Sequence, residues 1–270
     1  MNGFRTLAFG VTDPNKMAAS LLILTFHTLD DQSSNVSFSP EVFRHGMAGL
    51  HEKRYRTIHL LEAINFLRQG RSFPERSLVI TFDDGYQTVY DEAYPILQRY
   101  SMSATVFLTV GKEGTTKVSG LLPSLKGRSM LSWDHIREMH QWGITFGAHT
   151  LTHPDLTRLP LDQTESEICD SKWMIEDALS APVACFAYPY GRHHDRIREI
   201  VRRHFDCACS DEFGLVTAGS DLYTLERIDA CYFRTDRLFG IISTGWFPSY
   251  IRLRHIPLSI RRIFRRRSER

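Results

Sequence analysis

Ile80-Thr81-Phe82-Asp83-Asp84-Gly85 runs apolar and β-branched residues into two adjacent carboxylates and a glycine. That is the pattern of a buried strand delivering acids to its C-terminal end. Two neighbouring carboxylates are costly to hold ionised unless a cation or a proton lies between them. Taken alone the stretch reads equally well as an acidic turn with Gly85 at positive φ. A second stretch, Gly147-Ala148-His149-Thr150-Leu151-Thr152-His153, follows the apolar run Ile144-Thr145-Phe146 and sets two imidazoles four residues apart. One carboxylate with two histidines makes a three-ligand site for a divalent cation and keeps a position open for water, as catalytic zinc requires. A histidine pair by itself also admits a turn or surface pair; beside a diacid it reads as part of a metal site.

Together with Tyr188-Pro189-Tyr190-Gly191, the stretches Thr81 to Gly85 and His149 to His153 resemble the three successive motifs of the polysaccharide deacetylase family, the NodB homology domain. Order and intervals both fit, and the resemblance runs from about Leu21 to about Asp229. It implies that Asp83 is the general base and that Asp84, His149 and His153 hold the metal. Zn2+ suits that donor set, as do Co2+, Ni2+ and Fe2+, and no organic cofactor is expected. Bound zinc brings the pKa of its water close to 7. The bond attacked would be the N-acetyl amide of a sugar, and the backbone N–H of Tyr190 would help to stabilise the developing oxyanion. Without its two companions the Tyr188-Pro189-Tyr190 stretch would be an ordinary proline turn.

Two departures from the family pattern stand out. Many members place an arginine two residues before the motif proline to hold the catalytic aspartate, where this sequence has Ala187; Arg227, in Leu225-Glu226-Arg227-Ile228-Asp229, stands at another strand end and is the candidate replacement. Many members also carry the general acid in a late Leu-x-His motif. The late match here is Leu253-Arg254-His255, inside an arginine-rich stretch unlike a core strand. Leu24-Thr25-Phe26-His27 resembles the branch with an N-terminal histidine strand, so His27 is the expected proton donor.

The elements that must position these residues alternate. Buried strands are expected at Leu21–Phe26, Thr57–Leu60, Ser77–Phe82, Ser103–Leu108, Ile144–Ala148, Cys185–Tyr188, Phe205–Ser210 and Tyr223–Ile228. Between them lie helices capped by Ser39 before Pro40 and by Ser132, others at Leu61–Arg68 and Tyr86–Tyr100, one opened by Asp162-x-x-Glu165, and one through Ile197 and Val201. Gly111–Met130 reads as a long loop. Such alternation gives an α/β fold with a parallel sheet covered by helices, and functional residues at successive strand C-termini favour a barrel. The resemblance implies a distorted (β/α) barrel of about seven parallel strands.

The 270 residues, 42% of them hydrophobic, suffice for one large domain, expected over 21–250 after a leader at 1–20. Five cysteines with no C-x-x-C pair argue against a complete disulfide framework and for a reducing compartment. No signal peptide or membrane-spanning helix is read, so a cytoplasmic location is expected. Charge is uneven: residues 251–270 hold eight arginines and one glutamate, a net +7 against −5 for the rest. Ile251, Leu253, Ile256, Leu258, Ile260, Ile263 and Phe264 interleave with those arginines, which suits an anionic membrane surface, here the inner face, better than a buried helix; nucleic acid is the less expected partner, and a disordered solvated tail is the plain alternative. The expected substrate is an N-acetylated glycan, polymeric or lipid-linked. The competing readings are a carbohydrate-binding protein that keeps the metal site without turnover, and a phosphohydrolase using Asp83 as nucleophile, which would leave the histidine pair idle.

Overall fold

The computed structural model describes residues 20–111 and 127–254. Seven parallel strands close on themselves: β1 (Ser20–Phe26), β5 (Ser77–Phe82), β6 (Thr105–Leu108), β7 (Thr145–Ala148), β8 (Cys185–Ala187), β9 (Cys207–Phe213) and β11 (Leu225–Asp229) pair in that order, and β11 returns to β1. This is the expected (β/α) barrel. Short strands decorate it. β4 (Arg56–Thr57) adds to β5, β10 (Val216–Thr217) adds antiparallel to β1, and β2 (Thr28–Leu29) pairs with β3 (Ser37–Phe38).

Alternation along the strands sorts the apolar residues into two cores. Leu21, Ile23, Val79, Phe107, Cys185, Ala187, Cys207, Cys209 and Leu225 form one cluster, with Leu60, Ala63 and Ile64 of the helix Leu60–Arg68. That cluster fills the barrel, and the helix stoppers its lower end. The intervening residues, among them Leu24, Phe26, Ile80, Phe82, Val106, Phe146, Phe186 and Ile228, face the surrounding helices with Phe43, Met47, Ile136, Ile168 and Ile197. The inward set therefore continues, at each strand's C-terminal end, into the polar residues of the mouth: Asp83 after Val79 and Thr81, His149 after Gly147, Arg227 after Leu225. Thr25 and Thr81 hydrogen-bond across β1 and β5 at 2.9 Å just below that layer.

Gly147 is required by this packing. A Cβ there would lie 2.5 Å from the Phe107 ring and 2.9 Å from the Cys185 carbonyl oxygen, so a larger residue on β7 would displace the plug of the barrel or the next strand.

Several boundaries differ from expectation. The segment at Thr57–Leu60 is a strand only at Arg56–Thr57, because Leu60 already opens the helix that closes the barrel. Tyr86 does not begin a helix but bridges to Met130, and the first regular turns, Val89–Ala93, are π-helical before the α-helix Tyr94–Arg99. The helix Leu161–Leu179 starts after Pro160 with no side-chain cap. Asp162 lies inside its first turn, where a carboxylate still favours the positive end of the helix dipole. Residues 112–126 of the long loop lie outside the described residues.

Candidate active site

The mouth of the barrel collects the side chains that the sequence singled out. Asp83 follows β5 and is 2% exposed; its N–H donates to the Phe26 carbonyl at 2.9 Å, tying the end of β5 to the end of β1. Both of its oxygens accept from Arg227, Nη1 to Oδ1 and Nη2 to Oδ2, each at 2.8 Å. Arg227 is 3% exposed and gives two further donors to the Ser210 carbonyl (2.9 Å) and to Asp211 (2.7 Å). Burial pushes the Asp83 carboxyl up. The opposing pull of Arg227, by charge and by hydrogen bond, with contributions from His149 and His27, wins and holds it well below the usual carboxylate range. Arg227 also lies over the Phe107 ring at 5.9 Å, so it occupies the upper barrel interior beside Ala187.

Asp84 turns the other way. Its φ of 75° is left-handed, and Gly85 after it is left-handed at 85°, so consecutive carboxylates leave the strand in different directions. Asp84 is buried, yet its Oδ1 has no hydrogen-bond partner. His153 Nε2 lies 3.3 Å from that oxygen and His149 Nε2 3.6 Å. His149 Nδ1 sits 2.7 Å from the Ala187 carbonyl, which can only accept. The proton is thereby fixed on Nδ1, and the Nε2 lone pair is aimed at Asp84. The three donor atoms lie within 4.8 Å of one another. A buried orphan carboxylate oxygen facing two imidazole nitrogens fits a divalent cation: an unpaired buried acceptor is expensive, and a shared metal ion satisfies it.

The histidine loop is held from behind. Thr150 and His153 both have positive φ, at 69° and 57°, and the Thr150 hydroxyl accepts from the His153 N–H at 3.0 Å. Glu167, on the helix Leu161–Leu179, accepts from the Thr152 N–H at 2.9 Å and from its hydroxyl at 2.7 Å. Tyr190 is also left-handed, with φ of 59°, and its ring lies 4.7 Å from that of His153. The backbone bonds of its turn run from Gly191 to Tyr188 and from Arg192 to Pro189, which leaves the Tyr190 N–H outside both. His27 is partly exposed at the end of β1, its Nδ1 3.9 Å from an Asp229 carboxylate oxygen.

A family profile described as polysaccharide deacetylase matches residues 70–204. A Bacillus subtilis protein assigned by name to the polysaccharide deacetylases, YxkH, is 30% identical over 211 residues, 78% of this chain and 71% of that protein. The chain belongs to the polysaccharide deacetylase family. A poly-beta-1,6-N-acetyl-D-glucosamine N-deacetylase of Staphylococcus epidermidis is 28% identical over 205 residues, covering 72% of this chain and 68% of that enzyme. Among solved structures, the Streptococcus pyogenes deacetylase PplD in complex with acetate superposes with a TM-score of 0.70 at 26% identity, over 78% of this chain and 92% of that one.

In this member of the family Asp83, Asp84, His149, His153, Tyr190, Arg227 and His27 share one mouth, while His255 lies outside the described residues. The Ala187 departure has a geometric counterpart. Arg227 reaches Asp83 from β11, and the residue at 187 contributes only its carbonyl, to His149. Three supporting residues escaped the sequence reading. Asp211 follows Cys207 and Cys209 at the inward alternation of β9, a signal hidden because that strand was expected to stop at Ser210. Glu167 looked like any helix-surface acid. The Tyr86 hydroxyl is buried without a hydrogen-bond partner of good geometry beside Asp84, and burial, then the Asp84 charge, raises its pKa, so it stays protonated.

Proposed function

We propose that this chain is a metal-dependent N-deacetylase that hydrolyses the acetamido group of an N-acetylated sugar and releases acetate. The observation that carries the reading is the pairing of a close donor triangle, Asp84 with His149 and His153, with a separate buried carboxylate locked in place by Arg227. The metal, Zn2+ or one of Co2+, Ni2+ and Fe2+, would supply Lewis acidity to a water and to the acetyl oxygen when bound at those three residues.

The chain's own groups account for the remaining needs. Asp83 accepts the proton of the attacking water. Each of its oxygens gives one lone pair to Arg227 and keeps another, so the clamp orients the base without consuming it. The water oxygen bonds to the acetyl carbon, the C–N bond breaks, and the nitrogen leaves as an amine after gaining a proton from His27. The Tyr190 N–H is the candidate donor to the acetyl oxygen as negative charge develops there; one such donor is typically worth about 10²- to 10³-fold in rate. A relative that acts on poly-beta-1,6-N-acetyl-D-glucosamine makes a β-linked N-acetylglucosamine oligomer the first substrate to try. A catalytic aspartate left unheld by the missing arginine at Ala187 would favour the non-catalytic carbohydrate-binding reading; Arg227 on both oxygens of Asp83 favours turnover.

Acetate release from such an oligomer, abolished by a chelator and restored by Zn2+, is the expected result. A metal-loaded protein that binds the oligomer and leaves every acetyl group in place, as read by mass spectrometry, would return the binding-protein reading.

A further inference from the structure

Tyr86 is 1% exposed, and its hydroxyl is sealed in the protein without an aligned hydrogen-bond partner. The Asp84 carboxylate stands beside it, within reach of its charge and of a hydrogen bond from the phenol. Asp84 Oδ1, the oxygen that faces His149 and His153, is unpartnered as well. Leaving two such groups buried side by side costs free energy that a phenylalanine at 86 would avoid. The hydroxyl therefore needs a role that the packing of its ring does not explain.

The ring is fixed by elements remote in sequence. After the left-handed backbone at Asp84 and Gly85, Tyr86 forms an antiparallel bridge with Met130. The Leu131 N–H donates to the Gly85 carbonyl and the Gln87 N–H to the Ser129 carbonyl, both at 3.0 Å, so the chain on either side of Tyr86 is tied down. The Arg128 guanidinium lies over the Tyr86 ring at 5.9 Å. Arg128 is held in turn by the Asp30 carboxylate, just after β2, and at 2.9 Å by the Ser37 hydroxyl of β3. A ring clamped in this way brings its hydroxyl to one place.

We propose that Tyr86 is a positioning residue for the metal site: its hydroxyl donates to the Asp84 carboxylate and so orients that ligand towards a divalent cation shared with His149 and His153, and Arg128 acts through the Tyr86 ring. The assignment rests on reading those three residues as ligands. A neutral phenol is a donor throughout the neutral range, and a carboxylate has lone pairs enough to accept from it while giving another to a cation. Outer partners of this kind hold a ligand in its binding orientation before the metal arrives. The other two ligands already have theirs. His149 is oriented by the Ala187 carbonyl, and the loop that carries His153 is braced by Glu167 through Thr152. Tyr86 supplies the counterpart for Asp84.

Zn2+ affinity of the full chain, measured by competition with a chromophoric chelator, tests the assignment together with thermal unfolding of the metal-free protein. Neither measurement uses a glycan, so both stand apart from the deacetylase reading. Tyr86→Phe is expected to bind Zn2+ about 10- to 100-fold more weakly. Its metal-free form should unfold at the parent's temperature or above it, because the unpartnered hydroxyl is gone and the ring remains. A tyrosine that served only the packing would leave the affinity where it was. Arg128→Met should also weaken Zn2+ binding, by less, and should add nothing to the loss in Tyr86→Phe, since a residue that acts through the hydroxyl has no effect once the hydroxyl is absent. Zn2+ affinity in Tyr86→Phe equal to the parent's would overturn the role of Tyr86. So would a metal-free Tyr86→Phe that unfolds well below the parent, which would show the hydroxyl to be bonded within the fold. Additive losses in the double variant would overturn the part given to Arg128. A parent that binds no Zn2+ under the same conditions would reject the ligand reading itself, and this assignment with it.

Discussion

Arg227 reaches across the barrel from β11 to take both carboxylate oxygens of Asp83, at the end of β5, at 2.8 Å each. Two strands remote in sequence are thereby linked at the centre of the site, and the link is dry, with both residues no more than 3% exposed. A buried pair of this kind is strained mainly when half of it is removed. Arg227→Leu should cost about 3–5 kcal/mol at neutral pH in urea unfolding of the metal-free protein.

The pH dependence of that loss has a defined sign. In the parent the folded pKa of Asp83 is depressed, so its contribution is present above the unfolded carboxylate pKa and is lost as pH falls through the folded value. Without Arg227 burial dominates, the folded pKa rises above the unfolded one, and the folded state gains protons as pH falls. The stability gap between parent and Arg227→Leu should therefore narrow as pH is lowered from 7 towards 5. A gap that widens over that range would contradict the assignment.

Asp83 and Asp84 should separate cleanly. Asp83→Asn is expected to keep metal stoichiometry near the parent's while turnover falls about 10²- to 10⁴-fold, the usual span for a general base. Asp84→Ala, His149→Ala and His153→Ala should lose metal affinity. Glu167→Gln should weaken metal binding by about 10- to 100-fold, because the loop that aims His153 loses its brace at Thr152. Dialysis against a chelator followed by metal analysis reads all five; equal metal loss in every variant would reject the division between base and ligands.

Much of this arrangement was legible in the sequence, for a physical reason. Parallel strands buried on both faces read as apolar runs, and their ends show as abrupt polar residues, so Asp83-Asp84 and His149 announce themselves after Ser77–Phe82 and Thr145–Ala148; Arg227, in the middle of the mixed strand Leu225–Asp229, is reached only as the replacement for the motif arginine missing at Ala187. What stayed hidden depends on contacts between distant elements. Asp211 sits in the polar run Ser210-Asp211-Glu212, which looks like a loop; β9 continues through it because Phe213 pairs with Arg227 on β11. Glu167 earns its place through Thr152, fifteen residues away and on another element. The opposite directions of Asp83 and Asp84 come from a left-handed backbone at Asp84, a conformation with no signature in the residue type beyond aspartate's tolerance of it.

Gly147→Ala tests the barrel plug. The added methyl would meet the Phe107 ring at 2.5 Å and the Cys185 carbonyl at 2.9 Å, and overpacking of this order costs about 1–3 kcal/mol. Phe107→Leu should also destabilise by itself, through lost volume. The double variant is expected to be less destabilised than the two single losses added together, because the smaller side chain yields room to the methyl. Strict additivity in urea unfolding would mean that Gly147 is not held small by Phe107.

His27 carries the last prediction. An amide nitrogen leaves as an anion too basic to depart unless it is protonated as the C–N bond breaks, so the reaction needs an acid in the mouth distinct from the base. His27 ends β1 beside Asp83, with which it interacts electrostatically, and its Nδ1 is 3.9 Å from Asp229. An imidazole is the side chain suited to give up a proton near neutral pH. Its removal should spare the metal, since none of the three donor atoms is lost. His27→Ala is expected to keep its metal, to lose about 10²- to 10⁴-fold on an N-acetyl sugar, and to lose far less on an activated aryl acetate, whose leaving group departs without a proton. Asp229→Asn should reproduce a milder form of the same selective loss, by acting through His27. If His27→Ala loses amide and aryl ester activity in equal proportion, His27 serves the shape of the site and another group donates the proton.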